Sequence, residues 1–176
     1  AQLQEKKIDN SSILETVNPN NKIPYDIEFD DLSRLHYLVI SRKVTTILEF
    51  GVGKSSIVFS DALKKNKEKW FNFTSKNLRR ANLYQCHSID NNKEWIMECN
   101  QKVPKYFFDE QILTLHFAKL TTSEFCGRIC TFFDPLPNIS PDLIYLDGPD
   151  QFSASGSIRG INTKHQDRMP MAADIL

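Results

Sequence analysis

Three carboxylates and a pair of glycines are the residues of this sequence best placed to do chemistry. Glu49, Asp90 and Asp147 each stand at the end of a short, mostly apolar run: Glu49 within Thr45–Phe50, Asp90 after Asn82–Ile89 and Asp147 after Leu143–Leu146. In an open parallel sheet, ligands bind beyond the carboxyl ends of the strands. Three acids at three strand ends would therefore meet along one edge. Gly51 and Gly53 follow Glu49 directly, and glycine lets a backbone turn sharply and approach a ligand with no side chain in the way. A helix after them, with Ser55 or Ser56 as its cap, would offer unpaired N–H groups to a carboxylate or phosphate. An acid at the end of a second strand can accept two hydrogen bonds from a ribose diol, and Asp90 has that place. It stands 37 residues after Gly53, against a usual spacing of about 20. The polar stretch Lys64–Arg80, expected to be a helix end and an excursion, accounts for the excess.

The elements that must position these residues follow from periodicity. From Asp30, Leu32, Leu35, Leu38 and Val39 recur at the spacing of one buried helix face. After the glycines, Ile57, Val58, Ala62 and Leu63 do the same. Asn91 or Asn92 can cap a helix whose Trp95, Cys99 and Val103 share a face, and Pro104 stops it. Gln111–Lys119 is a third strand candidate and Arg128–Phe133 an extra strand or hairpin arm. Ser153–Asn162 reads as a loop, and Met169–Leu176 begins to look helical. The expected fold is α/β: a three-layer, Rossmann-like sandwich with a mostly parallel sheet covered on both faces. Residues 1–24 read as an N-terminal arm and 25–176 as one cofactor-binding domain.

Composition narrows the function classes. The 176 residues carry 22 basic and 22 acidic side chains, so no net charge favours nucleic acid or an anionic membrane as partner. No apolar run approaches the roughly 20 residues that span a bilayer, and a cytoplasmic location is expected. The four cysteines read as free thiols and no metal site is expected, because Cys126 and Cys130 lack a second pair. The aromatic pairs, such as Phe107-Phe108 and Phe132-Phe133, suit a core or a subunit contact, the latter in a homodimer.

Gly53-Lys54-Ser55 also matches the end of a nucleoside-triphosphate P-loop. That loop needs an earlier glycine at position 48, where the sequence has Leu48. Glu49 would also set a carboxylate beside a triphosphate, whereas it suits a positively charged amino group or sulfonium.

Ile47-Leu48-Glu49-Phe50-Gly51-Val52-Gly53-Lys54-Ser55-Ser56 resembles the first motif of class I S-adenosylmethionine-dependent methyltransferases. His87-Ser88-Ile89-Asp90 is similar to their second motif, and Pro141-Asp142-Leu143-Ile144-Tyr145-Leu146-Asp147-Gly148-Pro149 to their fourth-strand motif. The resemblance covers roughly residues 30–176. It implies that Glu49, Gly51 and Gly53, with Ser55 beside them, line the methionine part of S-adenosylmethionine. It further implies that Asp90 holds the ribose, that Asn91 lies beside the adenine, and that Asp147 stands near the transferred methyl group. Ser55 replaces the third glycine of the longer pattern. The family fold has seven strands where four or five are found here, so the fold is either reduced or incomplete at its C-terminus. Methyl transfer to a hydroxyl also needs a base or a metal; Asp147 is the first candidate base, with Asp150 and His165 in the segment after it. The expectation is a methyltransferase for a small-molecule or sugar-containing acceptor. The alternative from another class is a non-catalytic nucleotide-binding or scaffold protein.

Overall fold

Thr46–Phe50 is buried at all five positions, as expected of a strand that lies inside a parallel sheet with both faces covered. In the computed structural model, which describes residues 28–148 and 153–162, the elements follow in order. They are α1 (Phe29–Ser41), β1 (Thr46–Phe50), α2 (Lys54–Asn77), β2 (Gln85–Asp90), α3 (Lys93–Lys102), α4 (Tyr106–Asp109), β3 (Leu113–Phe117), β4 (Lys119–Phe125), β5 (Arg128–Asp134) and β6 (Leu143–Leu146). The arm read over 1–24, Asp150, His165 and the helix expected from Met169 lie outside the described residues.

Four strands form one sheet in the order β3-β2-β1-β6, and every neighbouring pair is parallel. The chain leaves β1 towards β2 and β3, then returns to the other side of β1 as β6. That reversal makes the carboxyl ends of β1 and β6 a topological switch point, where sheets of this kind open a crevice. The architecture is α/β, consistent with a Rossmann-like fold.

The two faces of the sheet are covered differently. Alternate strand residues point to opposite faces. Ile47, Cys86 and Leu113 pack with Val39 of α1, Phe59, Ala62 and Leu63 of α2, Cys99 of α3 and Phe107 of α4. On the other face Leu48, Phe50 and Ile89 pack with Leu120 of β4, Phe133 of β5 and Ala154. The rings of Phe50 and Phe133 lie 5.4 Å apart, and a buried aromatic of this kind stabilises by about 2 kcal/mol. Among the described residues the second layer is thus the antiparallel hairpin β4–β5, not helices.

Several expected boundaries move. α2 is one 24-residue helix to Asn77, because no Gly or Pro interrupts 54–77; the excursion begins only at Leu78. Its buried Asn66 amide donates to the carbonyls of Val39 (2.9 Å) and Val44 (3.0 Å), which fastens the α1–β1 corner. β2 begins at Gln85 rather than Asn82, since Tyr84 takes a positive φ of 61°. β3 is shorter than Gln111–Lys119, as Gln111 is also left-handed. Arg128–Phe133 is the second arm of a hairpin whose first arm, β4, the periodicity did not show. Within Ser153–Asn162, Ser155 forms a single isolated parallel bridge with Thr121 of β4. On α1, Leu38 is 39% exposed rather than buried.

Candidate functional site

The glycine turn spans three residues between β1 and α2, and all three of its N–H groups are directed inward. Gly51 donates to the carbonyl of Ile89 (2.8 Å), Val52 to Asp90 Oδ2 (3.0 Å) and Gly53 to Ser56 Oγ (3.2 Å). The first-turn N–H groups of α2 are what such a helix start leaves for a ligand. Gly51 has φ +106°, and a Cβ there would stand 3.1 Å from the carbonyl oxygen of Asp147. Its glycine is therefore required by the chain itself, for backbone conformation and for the close approach of β1 to β6. Gly53 differs: it is extended at φ −176°, and a Cβ there would meet nothing within 4 Å.

Glu49 lies beneath this turn and is 0% exposed. Its Oε1 accepts from Ser55 Oγ (2.5 Å), and its Oε2 from Ser56 Oγ (2.6 Å) and Ser88 Oγ (2.5 Å). Burial raises its pKa to about 7; the three hydroxyls oppose that rise and the Asp147 carboxylate adds to it. The carboxyl group anchors the first turn of α2 to β1 and β2 and presents no surface to a ligand. Neither Ser55 nor Ser56 is the N-cap residue, although Ser56 accepts the N-cap N–H from the third position of the helix. Gly53 holds the N-cap position, and the two serines point back at Glu49.

Asp90 ends β2 beside the turn. Its oxygens accept backbone N–H groups, Oδ2 from Val52 and Oδ1 from Asn92 at 2.7 Å, and the Asn91 N–H adds a further backbone contact. An ionised carboxylate has about four acceptor sites, so capacity remains for a ligand hydroxyl. Burial raises its pKa, and the backbone N–H bonds work against that rise. Asn91 is half-buried next to it. The cap of α3 is Asn92, whose Oδ1 accepts from the N–H groups of Glu94 and Trp95. Asp147 lies across the switch point, where its N–H donates to the Phe50 carbonyl at 2.8 Å. The residue is exposed; partial burial raises its carboxyl pKa, and a hydrogen bond from the Tyr145 hydroxyl opposes that.

The structure thus brings Gly51, Gly53, Ser55, Asp90, Asn91 and Asp147 to one edge, with Glu49 under them. Sequence reasoning missed Ser88, which is the register partner of Glu49 in β2, and Tyr145. It also passed over Phe117, which pairs in register with Asp90 and is 40% exposed at the rim. The Lys93 ammonium lies 4.7 Å from the centre of its ring. A serine inside a run that is otherwise buried strand was the available signal for Ser88.

No family model, curated protein or solved structure matches this chain. Among those described, no helix is long and apolar enough to cross a membrane, and no group of three or more His, Cys, Asp or Glu side chains could hold a metal ion.

Proposed function

We propose that the carboxyl edge of the sheet binds S-adenosylmethionine and that the protein transfers its methyl group to a small-molecule or sugar-containing acceptor. The observation that carries this reading is Gly53. Beyond the modest preference of a helix N-cap for glycine, neither a left-handed φ nor any atom within 4 Å requires one there, and the open space above it leaves room for a ligand to lie against the backbone. The flanking groups fit an adenosyl compound: Asp90 retains acceptor capacity for a ribose hydroxyl, and the start of α2 favours a carboxylate. Glu49 has no part in direct contact and would act by holding Ser55 and Ser56 in place. S-adenosylmethionine would supply the methyl group on a sulfonium, which leaves as a neutral thioether. Asp147, exposed at the mouth, would take the proton of a hydroxyl acceptor, since its raised pKa makes it the stronger base. Positioning by the turn would do the rest.

A phosphate-cradling loop is disfavoured. Leu48 is buried in β1, the connection is three residues long, and all its N–H groups have protein acceptors. Binding of the adenosyl compound without transfer is a second reading, favoured by the burial of Glu49, which leaves the methionyl amine without that carboxylate.

Isothermal titration of the full chain with S-adenosylmethionine and S-adenosylhomocysteine tests the proposal. Binding should weaken by about tenfold or more in Asp90→Asn and in Gly53→Val. No heat from either ligand with folded wild type, or equal affinity in both variants, overturns it. Binding without methyl transfer across a broad acceptor panel selects the second reading.

A further inference from the structure

At the opposite, amino-terminal edge of the sheet lies a cavity of about 530 Å3, between the end of α1, the segment that joins α2 to β2, and the start of β6. Its lining includes Leu38, Arg42, Lys43, Leu78, Arg80 and Leu143. The volume falls within the range of small-molecule sites. The length of β1 puts it about 16 Å from the glycine turn.

The charge of this lining is one-sided. Asp142 is its single carboxylate, and that group is already engaged by Arg80, by both Thr45 donors and by the Thr46 N–H. Arg42 and Lys43 form no ion pair among the described residues; the Lys43 ammonium instead lies 4.5 Å from the centre of the Trp70 ring. The negative end of the α1 dipole accounts for a cation at this place. It does not account for Leu38 and Leu78, 39% and 40% exposed in the same lining. Cations that form no ion pair among the described residues, beside exposed leucines, suit a ligand that is anionic at one end and apolar along its body.

We propose that this cavity binds a small organic anion with an aliphatic body, of the medium-chain carboxylate class. Arg42 and Lys43 hold the head; Leu38, Leu78 and Leu143 cover the chain. The site is separate from the glycine turn and does not depend on the activity proposed for it.

The test is an amide NMR titration of the full chain with octanoate, octanol and inorganic phosphate at neutral pH. Octanoate should shift the amides of Thr45, Leu78 and Leu143 saturably. Arg42→Glu, a change at an exposed position that leaves the Asp142–Arg80 contact intact, should weaken it by about tenfold. Octanol and phosphate should each bind far more weakly. Three results would each overturn the proposal: no saturable shift at those amides, octanoate affinity unchanged in Arg42→Glu, or octanol or phosphate binding as well as octanoate. The second of these would mark an apolar crevice, and strong phosphate binding a simple counter-ion patch.

Discussion

A carboxylate ringed by donors stands at each end of β1, and the two rings are built from different chemistry. At the amino end Asp142 accepts from the N–H groups of Thr45 (2.8 Å) and Thr46 (3.2 Å) and from the Thr45 hydroxyl (2.6 Å), and it contacts the Arg80 guanidinium. At the carboxyl end Glu49 meets three hydroxyls and no cation. The first ring joins fixed backbone groups to a permanent charge and works as a staple between β1, β6 and the α2–β2 connection. The second is made of rotatable neutral donors around an acid that burial pushes to about 7. The edge assigned to ligand binding is therefore held by a group sensitive to its proton, and the far edge by a charge-assisted pair.

Removal of each carboxylate tests that contrast. Glu49→Ala should cost about 4 kcal/mol, because it opens a cavity and leaves three buried hydroxyls without their acceptor. Asp142→Ala should cost less, about 2–3 kcal/mol, since the side chains of Asp142 and Arg80 are 26% and 32% exposed and water can take over part of their bonding. Urea denaturation of both variants measures this. If the order reverses, the amino-edge staple is the stronger of the two.

A pH series sharpens the same comparison. Glu49 has a folded-state pKa near 7, above its ordinary 4.5, so its protonated form suits the folded chain. Its contribution is fully present below about pH 4.5 and is lost as pH rises through about 7. His87 acts in the opposite sense: burial and the neighbouring His116 lower its pKa to about 4, so its contribution is present above pH 6.5 and lost as pH falls through about 4. The two overlap in wild type, and Glu49→Gln separates them. The stability of wild type relative to Glu49→Gln should fall by about 2 kcal/mol between pH 5 and pH 8, as read from thermal midpoints. A difference that stays flat would mean that Glu49 carries the same charge folded and unfolded. The corresponding difference for Asp142→Asn gives the reference for the other edge.

How much of this was legible in the sequence depended on range. Glu49, Asp90 and Asp147 could be placed on one edge because each ends a run of strand-like residues, and local periodicity carries that information. The partners of those acids could not be read. Ser88 reaches Glu49 only through the β1–β2 register, 39 residues apart, and Asp142 reaches Thr45 across 97. No local pattern marks contacts of that separation. The hairpin layer escaped for a different reason: Lys119–Phe125 has Thr, Thr, Ser and Glu in succession, which gives little hydrophobic alternation, and its buried face depends on Phe50 and Ile89 beneath it. The cap of α2 was misassigned because serine after a glycine turn is a good cap in general, while here a buried acid competes for both hydroxyls.

The two glycines give the smallest expected effect and the sharpest division between internal and external causes. Gly51→Ala places a Cβ 3.1 Å from the Asp147 carbonyl oxygen at φ +106°, and should cost about 2 kcal/mol of stability. Gly53→Ala meets no atom and needs no unusual φ, so its cost should be about 0.5 kcal/mol, the difference between glycine and alanine at a helix N-cap. If Gly53 is kept open for a ligand, that nearly silent change should still weaken adenosyl-ligand binding by several-fold, whereas thermal unfolding without ligand hardly moves. Equal ligand affinity in Gly53→Ala and wild type would leave Gly53 with only its helix-cap preference and Gly51 with its left-handed φ and the packing between β1 and β6, both reasons internal to the fold.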